Sequence, residues 1–348
     1  MSEIAITPEV AYDWAATILR EAGASEEAAT ATARSLVDAN RRGLDSHGLV
    51  FLSFYLPRLR TGTTRGDAQP QVVVDLPALA LVDGHDGLGA HVATFAMELC
   101  CEKAAVAGTA AVAVRNSSHF GAASCYAELA AARGFIGIAL SNSDPGMAPL
   151  GALGPILGTN PLAIAAPPAG NVPIPSLDIA TSVVAQGKII LASRAGAPIP
   201  ADWAIGRGGK PTEDPDEALA GAVLPMGGHK GFALAFMIDI LTGAVPGARL
   251  SPQIKGDPLD PEPQGTGHFL IAVNVEAIRE RGGYERSLEE LADSVHSAPR
   301  ADWTEPFMTP GEREARAAAE RARGIPLTRP TVELLRTLGE EYGVPLPA

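Results

Sequence analysis

Cysteine is scarce in this chain: three occur in 348 residues, two of them adjacent at Cys100-Cys101. That set builds neither a disulfide framework nor a spaced metal site, so the three read as small apolar side chains of a reducing compartment. Cations are also short, with 27 Lys and Arg against 40 Asp and Glu and a net charge of −13. A nucleic-acid backbone is repelled by such a surface unless basic residues cluster, and the nearest group, Arg58, Arg60 and Arg65, is too sparse for that. No apolar run reaches membrane-spanning length. The first twenty residues carry Glu3, Pro8, Glu9 and Asp13 with no basic region ahead of an apolar run, which speaks against a secretory signal and for the cytoplasm. Two familiar phosphate cradles are missing as well: no Gly-x-Gly-x-x-Gly follows a strand, and no Gly-x-x-x-x-Gly-Lys-Ser/Thr occurs.

What is present is the composition of a globular protein, because 46% hydrophobic and 19% charged residues exclude wholesale disorder. Thr7-Pro8-Glu9 and Ser25-Glu26-Glu27 carry helix-start signatures, and a third helix capped by Asp45 or Ser46 is expected to bury Phe51, Leu52, Tyr55, Leu56 and Leu59 and to kink or split at Pro57. From Val72 onward, short apolar strands (72–74, 78–82, 110–114, 135–140, 162–166 and 269–273) are interleaved with helices at 87–106, 121–133 and 231–241. Gly206 to Gly221 reads as a surface excursion, and the proline-rich Ser251 to Gly267 as a long mobile loop. Helices near 287–297, 312–323 and 331–342 close the chain.

The densest polar stretch, Arg115-Asn116-Ser117-Ser118-His119-Phe120-Gly121, breaks out of one buried strand, and Ser141-Asn142-Ser143-Asp144 breaks out of the next. In open α/β sheets the ligand crevice lies beyond the carboxyl ends of the strands, which places both exits on one pocket. His119 is therefore a candidate proton carrier, with a plain capping role about equally supported by the residues alone. His47, in Asp45-Ser46-His47-Gly48, is a second candidate in the first turn of a helix, although capping by Asp45 or Ser46 beside an exposed imidazole is the simpler reading of the residues. His85 sits in a polar glycine-rich turn, while His91, His268 and His296 read as packing or surface residues. Asp83, His85 and Asp86 match no metal-ligand spacing, and no metal is assigned.

Seven motifs in order resemble the malate/L-lactate dehydrogenase family that lacks a Rossmann domain: Asp45 to Gly48, Arg115 to Gly121, Leu157 to Pro161, Asp178 to Ser182, Gly187 to Ile189, Pro225 to Gly231 and Pro310 to Glu312. The likeness covers nearly the whole chain. It implies proton transfer shared between His47 and His119 with Ser46 orienting His47, and substrate contacts at Phe51, Thr159 and Lys188. It also implies NAD or NADP held by Ser143, Asp178, Ile179, Ala180, His229, Lys230, Gly311 and Glu312. A glycine-flanked lysine opening an apolar helix is physically suited to a pyrophosphate. A small-molecule substrate and a homodimer complete what the resemblance implies.

The fold expected is α/β: a mixed-sheet, non-Rossmann NAD(P)-binding domain over 72–284, with a helical N-terminal layer, 1–71, joined by C-terminal helices from 285–348. The function implied is hydride transfer between NAD(P) and a small 2-hydroxy acid or its 2-oxo partner. An NADPH-dependent cyclic 2-imino acid reductase is the alternative enzyme, and a catalytically silent ligand-binding protein of the same fold is the alternative outside enzymes. Lys188 favours the hydroxyacid branch, since an aspartate is expected there in the reductases. Phe51 departs from the family, which typically carries an arginine at that place to grip a substrate carboxylate.

Overall fold

A computed structural model describes residues 4–347. The N-terminal layer holds β1 (Ile4–Ile6), α1 (Pro8–Glu21), α2 (Glu26–Arg41) and α3 (Leu52–Thr61). Both predicted caps form: Thr7 Oγ1 accepts the Val10 amide at 3.3 Å, and Ser25 Oγ accepts that of Ala28 at 3.2 Å. The third helix differs from expectation. Asp45–His47 and Leu49–Phe51 are two tight 3₁₀ turns separated by Gly48, and α3 begins only at Leu52 and runs on through Pro57. Asp45 caps nothing; its carboxylate accepts Asn40 Nδ2 at 2.7 Å and two Arg321 nitrogens at 2.8 and 3.1 Å, so the cap signal was a tertiary tie.

The larger layer continues with β2 (Gln71–Leu76), β3 (Leu79–Asp83), α4 (Gly89–Ala107), β4 (Thr109–Ser117), α5 (Ser124–Ala131), β5 (Phe135–Ser141), β6 (Leu162–Ala165) and β7 (Ser176–Ile179). Then come α6 (Gln186–Ala195), β8 (Ala204–Ile205), α7 (Pro215–Leu219), β9 (Ala222–Val223), α8 (His229–Asp239) and β10 (Thr266–Asn274). The chain ends with α9 (Arg281–His296), α10 (Glu312–Glu320), β11 (Ile325–Leu327) and α11 (Arg329–Glu341). Seven strands form one mixed sheet in the order β2-β3-β4-β10-β5-β6-β7, with β3-β4 its parallel pair. β10 lies antiparallel between β4 and β5. Their carboxyl ends therefore reach the same edge without being neighbours. His268 of β10 closes that edge, with Nε2 at 2.8 Å from Ser117 Oγ and Nδ1 at 2.9 Å from Ser141 Oγ.

The three largest apolar clusters among the described residues follow this layout. One joins α1, α2 and α3 to Ile325, Leu327, Val332 and Leu335, with β1 paired to β11, so the chain's two ends share a core. A second fills the space between α4, α5 and the sheet. A third, around Met147, Ile189, Val223 and Ala235, packs α6 and α8 against the β8-β9 ribbon. Helix α9 rests on the sheet side, where Tyr284 donates to the Pro167 carbonyl at 2.8 Å.

The proline-rich segment after α8 is tied down rather than free. The guanidinium of Arg58, with none of the residue exposed, donates to the carbonyls of Asp257 at 2.5 Å and Glu262 at 3.0 Å and lies 5.5 Å from the Phe54 ring centroid. Sequence alone could not show this, because the partners are some 200 residues apart. Arg58→Met keeps the bulk and strands two buried carbonyls, and it is expected to cost about 2–3 kcal/mol. A thermal melt and limited proteolysis check it: a lower Tm with new cleavage between residues 255 and 263 is expected, and an unchanged melt refutes the anchoring role.

Candidate active site

Five aromatic rings converge where α3 meets the exit of β4. Phe51 lies flat on His119, with centroids 4.5 Å apart and planes 6° from parallel, and His47 stands 5.6 Å from Phe51 and 6.2 Å from His119. Phe54 meets His119 edge-on at 6.0 Å, and Tyr55 completes the group at 5.9 Å. His47 and Phe51 do not lie on one α-helical face, since the two occupy successive 3₁₀ turns; the rings meet because Gly48 turns the chain between them.

Each imidazole has a hydroxyl partner on Nδ1: Ser46 Oγ at 3.0 Å for His47, and the Tyr55 hydroxyl at 2.8 Å for His119. The main chain of His119 is fixed by Gln264, whose Oε1 accepts its amide at 2.9 Å. Burial, then the neighbouring His47 and His268 rings, pushes His119 down to about 3, and burial holds His268 at about 3 as well. His47 is lowered by burial, with the Asp178 carboxylate opposing that shift. His119 is thus neutral near pH 7, and of the two His47 has the carboxylate that favours its charged form.

The opposite wall is built from three neighbouring turns. Asp178, near the end of β7, accepts the first amide of α5 from Ser124 at 2.8 Å, and Ile179 closes the β6-β7 register against Leu162. The chain leaves β7 through Ala180, and Thr181 then bonds twice to the Thr159 carbonyl, at 3.0 Å from both its amide and its Oγ1. Thr181 also accepts the Met226 amide at 2.9 Å, which seats the glycine turn before α8. A Cβ on Gly231 would come within 2.6 Å of the Thr181 carbonyl, so this turn must carry glycine to lie so close. Gly187, at the start of α6, faces Ser46 with 3.6 Å between the position of a Cβ there and the serine Cβ. Lys188 follows on that exposed first turn. Ser143 is held by its amide to Asn160 Oδ1 at 3.0 Å, and Asn160, fully buried, also donates to the Ala235 carbonyl of α8 at 2.9 Å.

Gly311, with φ 92°, packs on the edge strand β7 where Ser176 donates to the Pro310 carbonyl at 3.1 Å. The Glu312 carboxylate is engaged inside the protein, accepting the Thr309 amide at 2.6 Å and pairing with His296 at 2.8 Å, contacts that hold it below its usual range against the effect of burial. His85 holds its own turn, taking Asp83 Oδ1 on its amide at 3.0 Å and Gln71 at 3.3 Å. Sequence reading passed over Tyr55 as core and Gln264 as loop. The available signal was the aromatic concentration at Phe51, Phe54 and Tyr55 in a chain with 5% aromatics, one turn from His47.

The family profile of malate/L-lactate dehydrogenases matches residues 6–336. The malate/(S)-sulfolactate dehydrogenase of Methanothermus fervidus is 36% identical over 98% of this chain and 99% of its own length. The solved sulfolactate dehydrogenase of Methanocaldococcus jannaschii superposes with a TM-score of 0.90 at 38% identity, covering 99% of this chain and 98% of that one. The chain belongs to the malate/L-lactate dehydrogenase family. A Δ(1)-pyrroline-2-carboxylate/Δ(1)-piperideine-2-carboxylate reductase of Pseudomonas syringae pv. tomato is 34% identical over 95% of this chain and 96% of its own length. As a member, the chain is a dehydrogenase with NAD or NADP as cofactor.

The residues present fit that cofactor. Helix α8 starts without a side-chain cap after two left-handed glycines, Gly227 at φ 58° and Gly228 at φ 64°, with His229 and Lys230 exposed on its first turn. Beside Gly311, the buried hydroxyls of Ser176 and Thr309 have no hydrogen-bond partner among the described residues, as expected where a polar ligand supplies one. Among the described residues, no helix is long and apolar enough to cross a membrane.

Proposed function

We propose that the stacked His47-His119 pair is the reaction centre of a 2-hydroxy acid dehydrogenase whose substrate carries an apolar or weakly polar tail. The observation that carries the reading is the side-by-side placement of two imidazoles 6.2 Å apart, each with a hydroxyl on Nδ1, at the edge where the exits of β4 and β5 meet. When bound, the nicotinamide supplies hydride acceptance or donation. The residues of this chain do the rest: His47 and His119 handle the substrate oxygen and its proton, and Ser46 orients His47. The first turn of α6, with Lys188 and an uncapped amide end beside Ser46, receives the substrate carboxylate together with Thr159. Phe51 occupies the place of the family's arginine and lies on His119, favouring a substrate without a second carboxylate there. Ser143, Asp178 to Ala180, the His229-Lys230 turn and Gly311-Glu312 line the cofactor's course, with Glu312 acting through its main chain, since its carboxylate is paired to His296.

A homodimer in the cytoplasm is the accompanying reading. It is supported by the exposed Phe236 and Met237 of α8 and by Val245 just beyond, 52%, 53% and 57% accessible, and by three free cysteines. Purified protein assayed with NADH and NADPH against 2-oxo acids, including sulfopyruvate, and against cyclic imines tests the activity. Turnover of cyclic imines alone would favour the reductase, and binding of cofactor with no turnover the silent protein. Light scattering tests the dimer.

For the cofactor, Lys230→Ala is expected to weaken dinucleotide affinity roughly tenfold, a reduced figure for an exposed point charge on a phosphate. Its exposed position predicts an unchanged Tm. Calorimetry with unaltered affinity removes Lys230 from the site.

A further inference from the structure

Tyr55 belongs to the core of the helical layer and is 3% exposed, yet its hydroxyl reaches His119 Nδ1 at 2.8 Å across 64 residues of sequence. Among the described residues that hydroxyl has no other partner. A phenol has one proton to donate, and a buried donor left without an acceptor is costly. If Nδ1 carried the ring proton, Tyr55 would have to accept, and its own O–H would face an apolar core unpaired. Donation from Tyr55 to Nδ1 satisfies both groups and puts the ring proton on Nε2, which has no protein partner among the described residues.

We infer that Tyr55 is a positioning residue that fixes His119 as the neutral Nε2–H tautomer, so that His119 polarises the substrate oxygen as a hydrogen-bond donor while the proton itself is exchanged at His47. This rests on the reading of the site given above. In the oxidation direction a bound nicotinamide would take up the hydride of the substrate C–H bond, leaving the substrate oxygen and its proton to the residues of this chain. The O–H bond breaks with its proton going to His47, and C=O forms against the Nε2–H of His119. Every group facing His119 agrees with neutrality. Burial and the rings of His47 and His268 hold it at about 3, Phe51 covers one face, and Gln264 is uncharged. Tyr55 does not act as an acid, because burial raises its hydroxyl far above its ordinary value. His47 alone of the two rings feels a carboxylate, that of Asp178. A neutral imidazole employed as an electrophile has precedent in enzyme chemistry.

The test uses full-length protein labelled with ¹⁵N-histidine. In the wild type the His119 signals, assigned by their loss in His119→Asn, are expected to show a protonated Nε2 and a bare Nδ1 that do not titrate between pH 5 and 8. Tyr55→Phe, which removes one oxygen, is expected to shift the tautomer balance and lower kcat about tenfold or more, with KM for the cofactor little changed. A protonated Nδ1 in the wild type, titration of His119 near pH 6.5, or an unaltered kcat in Tyr55→Phe overturns the inference. Should Tyr55→Phe not fold, the wild-type spectrum decides. Full activity in His119→Asn would instead refute the site reading, so the two failures are distinguishable.

Discussion

His47→Asn is expected to lower kcat by roughly 10²- to 10⁴-fold, the usual contribution of a positioned acid-base group, and to abolish the pH-dependent limb that this ring sets. The argument starts from its surroundings: burial lowers the proton affinity of His47, Asp178 works against that, and Ser46 Oγ holds Nδ1 at 3.0 Å. His119→Asn is expected to cost about 10²- to 10³-fold in kcat, the loss typical of one donor aimed at a developing oxyanion, while leaving the pH limb in place. The neighbouring Tyr55 hydroxyl loses its partner in that variant, so a lower Tm accompanies it, whereas Gln264 keeps the main-chain amide of residue 119. Initial rates across pH 5 to 9, with cofactor affinity measured separately, check both. If neither substitution reduces turnover tenfold, the stacked pair is not the reaction centre. If His119→Asn removes the limb and His47→Asn does not, the roles are reversed.

Phe51→Arg is expected to raise the preference for malate-like dicarboxylates over monocarboxylates by ten- to a hundredfold in kcat/KM. A well-aligned charge-assisted fork on a carboxylate is worth ~1.5–3 kcal/mol. Against that stands the packing of the native ring, which lies 4.5 Å from His119, 6.0 Å from Tyr55 and 6.1 Å from Phe54. Phe51 is half-buried at the margin of the helical core, so arginine keeps part of the contact through its methylene stem and loses the face-to-face stack. A Tm lower by a few degrees is therefore expected together with the change in selectivity. A lower Tm with an unchanged selectivity ratio shows that Phe51 serves only as packing.

Much of the secondary structure was legible because its causes are local. Thr7 and Ser25 announce their helices within four residues, and the apolar runs of β4 and β5 are bounded by polar breaks that also mark the site. The misreadings share a different cause. A polar Asp45-Ser46 pair before apolar residues predicts a cap and a helix start at one of the two, whereas the Asp45 carboxylate is spent on Arg321, 276 residues away. β1 and β11, three residues each, carry no periodicity of their own and exist by pairing with each other. The segment after α8 looked free because the composition of a loop says nothing about Arg58 reaching into it.

By itself the sequence determined the two-layer α/β character, the family, and the identity of His47, Ser46, His119 and Phe51 as the residues to watch. Those follow from periodicity, motif order and residue chemistry, all of which are properties of short stretches. The tertiary structure decided which groups act on one another. β10 enters between β4 and β5 and lets His268 join Ser117 and Ser141, 151 and 127 residues apart. α3 brings Tyr55 to Nδ1 of His119. The physical reason is that a tautomer, a lowered proton affinity or a stacked ring depends on burial and on partners within a few ångströms, and those are set by how distant segments pack.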